Sequence, residues 1–145
     1  MFHVKRVTYE TRNMPKVFTS EKQKIGEIGE NVAVKFLVRH DFTILDRNYT
    51  KRWGEIDIIA ERNNKIYFIE VKSVSHDLSA DKEETNSSRP EENMHPWKIR
   101  RLARTIQTYI LSKNLEKEWQ VDLLVVSLNI KDKTAKVRVV KNIIL

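Results

Sequence analysis

Two short runs, Glu55–Glu61 and Lys65–Val74, alternate polar and apolar residues and are separated only by Arg62-Asn63-Asn64. A period of two is the pattern of a β-strand. Asparagine tolerates the left-handed backbone that a two-residue hairpin turn demands. The segment therefore reads as a hairpin with Asn63-Asn64 at its tip, and the turn sets the register of everything on it. Asp57 then falls opposite Glu70, and Glu55 opposite Lys72. Directly opposed residues have Cβ atoms about 4.5–5.5 Å apart on one face. Four charged side chains would gather on a sheet that otherwise reads as core. A plain Glu55–Lys72 ion pair, with Asp57 and Glu70 turned to solvent, is the alternative, and a turn shifted by one residue would break the facing pattern.

The rest of the chain supplies layers for that hairpin. Ser20 and Gln23 have the spacing of a capping box. Ile25, Ile28, Gly29, Val32, Ala33, Phe36 and Leu37 then recur at helical spacing, predicting a helix that ends near Arg39–Asp41. A short strand follows around Phe42–Leu45. Pro96 opens a second helix through about Ser112, with Ile99, Leu102, Ala103, Ile106, Tyr109 and Ile110 as its apolar stripe. Trp119–Leu128 is a strongly apolar strand and Lys136–Val140 a weaker, alternating one. The order α-β-β-β-α-β-β is that of an α/β layer fold. Residues 1–19 read as a basic N-terminal arm, either mobile or ordered only by packing, and 20–145 as a single domain. The polar stretch 75–93 reads as a long flexible loop.

Composition narrows the function. The 145 residues contain no cysteine, which removes disulfides, thiolate nucleophiles and cysteine metal sites. No apolar run approaches the roughly 18 residues of a membrane span, and the first ten residues lack the order of a secretory signal. A cytoplasmic protein without membrane insertion is expected. Lys and Arg number 27 against 20 Asp and Glu, and the net charge of +7 favours a polyanionic partner.

Like charges facing each other in a sheet are destabilising, so an Asp57–Glu70 pair calls for a cation. Mg²⁺, or Mn²⁺ in its place, is a fitting one, being held by one or two carboxylates plus substrate phosphates. Lys72 can orient the attacking water or steady charge on phosphorus, which completes a set of parts for phosphodiester hydrolysis. Glu30 lies beside the apolar stripe of the first helix and can offer a further carboxylate, directly or through water. Glu27 points away, and Glu55 is an accessory acid. Lys98, Arg100, Arg101 and Arg104 lie mostly opposite the stripe of the second helix, as phosphate contacts or as an ordinary solvated face. Trp53 and Trp97 offer faces for base stacking but read first as residues that close a core. The four histidines have no zinc-ligand spacing, and neither a glycine-rich phosphate loop nor a nucleophilic serine motif occurs.

Gly26-x-x-x-Glu30, Gly54-Glu55-Ile56-Asp57 and Phe68-Ile69-Glu70-Val71-Lys72 resemble the UPF0102 (YraN-like) family, which belongs with the PD-(D/E)XK nucleases. The resemblance runs from about residue 20 to 128, taking in Lys98 and Val121-Asp122-Leu123-Leu124-Val125. It implies a restriction-endonuclease-like fold, a mixed central sheet flanked by helices, with Asp57, Glu70 and Lys72 as nuclease core and Glu30 as the helix acid. Similar proteins include archaeal Holliday-junction resolvases, so branched or repair DNA is an implied substrate, and resolvase-like action would need two sites and hence a homodimer. The proline of the superfamily's name is Ile56 here, and an arginine often found two residues beyond the motif lysine is Val74. The expected function is a Mg²⁺-dependent DNA endonuclease. The competing expectation is a non-catalytic nucleic-acid-binding module on the same fold. A membrane-surface role for the basic arm has no amphipathic pattern to support it.

Overall fold

Ser20 caps the first helix as its spacing predicts, its hydroxyl accepting the backbone N–H of Gln23 at 3.1 Å. The computed structural model describes residues 4–10, 20–76 and 95–143. In chain order the elements are β1 (Val4–Thr8), α1 (Glu21–Arg39), β2 (Thr43–Lys51), β3 (Gly54–Arg62), β4 (Lys65–His76), α2 (Pro96–Ser112), β5 (Glu118–Asn129) and β6 (Thr134–Val140). The strands form one sheet in the order β1-β6-β5-β4-β3-β2. Every neighbouring pair is antiparallel except β4 and β5, which are parallel and have α2 in the connection between them. Parallel neighbours need such a crossover. This is a mixed α/β fold consistent with the restriction-endonuclease-like expectation.

The helices take opposite faces of the sheet. Ile28, Val32, Ala33, Phe36 and Leu37 of α1 pack on Ile58, Ala60, Ile69, Leu124, Val126 and Val137. Leu102, Ile106 and Tyr109 of α2 pack on Ile56, Ile59, Ile66, Phe68 and Val121. Alternation along β4 and β5 sorts their side chains between the two layers. Thr105 is fully buried although it lies outside the apolar stripe, because its hydroxyl donates to the Arg101 carbonyl at 2.7 Å and needs no outside partner.

Sequence and structure differ at three places. Val4–Thr8, assigned to the basic arm, is an edge strand on β6, and Tyr9 beyond it is buried. Five residues with two exposed bases carry too little pattern to announce an edge strand. The edge strand β2 runs to Lys51 rather than ending near Leu45, with a bulge between Ile44 and Asp46 that interrupts its alternation. Ser75 and His76, placed in the flexible loop, end β4, and the remainder of that loop lies outside the described residues.

Close approach of α1 to β4 depends on Gly29. A Cβ there would stand 2.7 Å from the Ser73 Cβ, in contact with its hydroxyl as well. Gly29→Ala is expected to destabilise by about 1–3 kcal/mol, as overpacking does. Urea unfolding measures the loss, and adding Ser73→Gly, which removes the clashing atoms, should recover most of it.

Candidate active site

The hairpin turn sits at Asn63 and Asn64, with φ of 52° and 63°. From it the predicted register holds through Arg62↔Lys65 to Ile58↔Ile69, and there it stops. Asp57 and Glu70 are the first residues past the last pair, so they are not ladder partners, nor are Glu55 and Lys72. The strands part, and the Asp57 carboxylate fills the gap, its Oδ2 accepting the Val71 N–H at 2.8 Å. A second irregularity meets it from the other side. Asn48 of β2, with a left-handed φ of 54°, falls across from Asp57 between the pairs Arg47↔Ile58 and Tyr49↔Ile56. Ile56 consequently packs with the α2 layer while Ile58 packs with the α1 layer. Strict alternation does not carry through Asp57.

Despite the broken ladder, Asp57 and Glu70 meet. Each carboxyl group acts on the other: the Asp57 charge raises the Glu70 pKa, and a side-chain hydrogen bond between the two raises Glu70 further and lowers Asp57. Glu70 is 6% exposed. Burial, then the neighbouring Asp57 charge, push its pKa up to about 9, against a smaller opposing pull from Lys98. Burial also raises Asp57, to about 6, opposed by the Val71 N–H and reinforced by the charges of Glu30 and Glu55. Two acids sharing a proton in a low-dielectric setting is the expected response to like charges held together.

The pair opens into two adjoining cavities. One, of about 540 Å³, is lined by Asp57 and Glu70 with Glu55, Trp97, Lys98 and Arg101. The other, of about 320 Å³, is lined by Asp57 with Glu30, Glu55, Lys72, Lys98 and Gly26. A Cβ at Gly26 would meet open space, so that glycine leaves the cavity wall low. Lys72 is exposed, and among the described residues it is in no ion pair. The Glu55–Lys72 ion pair of the alternative reading does not form among the described residues; Glu55 instead lies 3.4 Å from the Thr50 hydroxyl, which donates to it.

Glu30 reaches the site on α1 but is already engaged. Its Oε1 accepts from Arg47 at 2.8 Å and from the Asn48 amide at 3.1 Å. It bears on Asp57 through its charge. Among the described residues, no group of three or more His, Asp or Glu side chains is placed to hold a metal ion together. The set Asp57, Glu70 and Glu30 is thus a pair plus a restrained neighbour. Sequence reasoning missed Arg47 and Asn48, and the only local signal was an asparagine able to adopt the left-handed turn.

The second helix is set against β3 by Gly54, where a Cβ would stand 2.7 Å from the Thr105 hydroxyl and 3.1 Å from the Arg101 carbonyl. That contact brings the first turns of α2 over the acids. Lys98 and Arg101 line the larger cavity. Arg104 lies instead over the Trp53 ring, 4.3 Å from its centroid, and Arg100 is exposed and lines neither cavity. Trp97, read as a core residue, is 46% exposed and forms part of the cavity wall.

The model of the "Uncharacterised protein family UPF0102" matches residues 29–126, which contain all of these groups except Gly26. Similar curated proteins include a UPF0102 protein of Campylobacter hominis, 38% identical over 104 residues that span 72% of this chain and 84% of that one. A UPF0102 protein of Campylobacter fetus subsp. fetus is 33% identical over 118 residues, 81% of this chain and 91% of its own. One from Persephonella marina is 37% identical over 100 residues, 68% and 79% of the respective chains.

Proposed function

The chain belongs to the UPF0102 family, and from that premise we propose that it is a divalent-metal-dependent nuclease, hydrolysing phosphodiester bonds in nucleic acid, with DNA the expected substrate. One observation carries the reading: a half-buried Asp57 and a buried Glu70 stand together at the mouth of adjoining cavities that Lys72, Lys98 and Arg101 also line. A buried like-charge pair is unfavourable unless a proton or a cation neutralises it. Two carboxylates beside open space fit Mg²⁺ or Mn²⁺, with substrate phosphate and water completing the set. Bound there, the ion would supply Lewis-acid polarisation of a phosphoryl oxygen. The chain's own groups do the rest. Lys72, in no ion pair among the described residues, presents its ammonium to the phosphate or to the incoming water. Lys98 holds negative charge near Glu70. Arg101 grips the neighbouring phosphate, and Arg47 and Asn48 keep Glu30 in place as a supporting negative charge. Cutting both strands of a four-way junction would need two such sites, hence two chains.

With burial and the Asp57 charge raising the Glu70 pKa, a metal ion bound near neutrality is expected to displace a proton there. Titrating Mn²⁺ calorimetrically at pH 7, in buffers of different ionisation enthalpy, should register release of about one proton per ion. Glu70→Gln should abolish the binding heat. The engagement of Glu30 by Arg47 favours a second reading, a nucleic-acid-binding module without turnover. Absence of carboxylate-dependent metal binding in this titration would select that reading.

A further inference from the structure

An indole with nearly half its surface in water, at the rim of a charged cavity, is unusual placement for a large apolar ring. Trp97, the second residue of α2, is 46% exposed. It lines the same cavity as Asp57 and Glu70. Its setting is built rather than incidental. The His95 ring acts as the helix N-cap, accepting the Trp97 N–H at 3.3 Å, and tilts against the indole with centroids 5.6 Å apart. The Arg101 guanidinium lies 5.1 Å from the indole centroid. Arg101 is itself anchored, its Nε donating to the Trp53 carbonyl at 2.7 Å. Thr50 and Lys51, at the end of β2, line the same cavity. An aromatic ring is therefore held among cations, within one cavity of the acids.

We propose that Trp97 is a base-stacking platform and that the strand entering this site is single-stranded nucleic acid, free or as the unpaired part of a branched molecule. Cations flanking an aromatic ring suit a strand whose backbone and bases are both accessible, because every base offers a π-face and every phosphate a charge. A base inside a duplex has both faces covered by its neighbours and offers an indole only its edge. Lys51, Lys98 and Arg101 then take phosphates around the stacked base, and the acid pair lies next along the strand. The inference rests on the nuclease reading for its geometry, but its test does not depend on turnover.

The test is equilibrium binding in EDTA, by anisotropy of labelled oligo-dT, oligo-U and a DNA duplex of equal length, at one fixed salt concentration. Trp97→Ala should weaken binding of the single strands by about five- to a hundredfold, the usual range for one lost stack, and shift the duplex less than about twofold by the same argument. Trp97→Phe should restore most of the loss. The oligo-dT and oligo-U arms tell DNA from RNA. Equal losses on single strand and duplex, no loss in Trp97→Ala, or no single-strand binding by the wild type would each overturn the assignment. Absence of cleavage, or cleavage that survives loss of the acids, would reject the proposed nuclease site alone, leaving these binding ratios meaningful. A helical circular-dichroism spectrum equal to wild type guards against misfolding, and Trp97→Phe serves where Trp97→Ala is unstable.

Discussion

Cleavage in Mg²⁺ or Mn²⁺ by Asp57→Asn, Glu70→Gln and Lys72→Ala is expected to fall by about 10²- to 10³-fold or more in each case, the scale of losing one group that faces developing charge. The three variants remove different things. Asn at position 57 can still accept the Val71 N–H, so the parted strands stay joined while the anionic charge is gone. Gln at position 70 can still donate to Asp57, as the protonated acid does, yet it cannot become the anion that a cation needs. Lys72 is exposed. Its truncation should change stability by no more than about 0.5 kcal/mol, so a lost rate there reports chemistry. Single-turnover cleavage of linear, single-stranded, flapped and four-way DNA measures all three. Rates retained in Asp57→Asn and Lys72→Ala together would reject the site.

A second large effect runs in the opposite direction. Without metal, Glu70→Gln is expected to be more stable than wild type at pH 8, by on the order of 2 kcal/mol. That corresponds to a melting temperature higher by roughly 4–8 °C for a chain of this size. The sign follows from proton linkage. Glu70 keeps its proton in the folded chain up to about pH 9 but loses it near pH 4.5 when unfolded. Between those values the folded state holds more protons than the unfolded one, so stability falls as pH rises through the window. Asp57, raised from 3.8 to about 6, adds the same trend over its own narrower range. The amide has no proton to lose, so most of the slope above pH 6 should vanish in Glu70→Gln, and the two proteins should converge near pH 4. Melting curves in EDTA from pH 4 to 9 test this. A wild-type profile that climbs with pH would show that the acids are not buried together. Adding divalent cation should stabilise wild type by mass action and leave Glu70→Gln unmoved. Stability surrendered at a site that must hold charge is a common exchange for function.

Both effects hinge on a feature that pairing rules reach only halfway. The left-handed asparagines at the hairpin tip determine the register of Ile58–Arg62 on Lys65–Ile69, and that much follows from turn chemistry. Extending the register one pair further puts Asp57 beside Glu70, the correct neighbour, by an incorrect route. They meet because the strands separate and the Asp57 carboxylate replaces a backbone bond. Such a departure depends on what lies beyond the pair, namely the left-handed Asn48 and the helix laid against Gly54.

Local patterns determined the elements whose periodicity is long or capped. Ser20 and Pro96 announce where α1 and α2 begin, and the apolar runs announce β3, β4 and β5, because these depend on backbone preferences and side-chain spacing within one segment. The acid pair, its lysine and the basic turn of α2 were likewise visible as residue types. Only the tertiary structure decided that Arg47 and Asn48 restrain Glu30, that Trp97 stands at the rim instead of in the core, and that Val4–Thr8 closes an edge of the sheet. Each joins groups distant in sequence. Which of two equally suitable partners a side chain finds is settled by packing, since the chain's local preferences are indifferent between them.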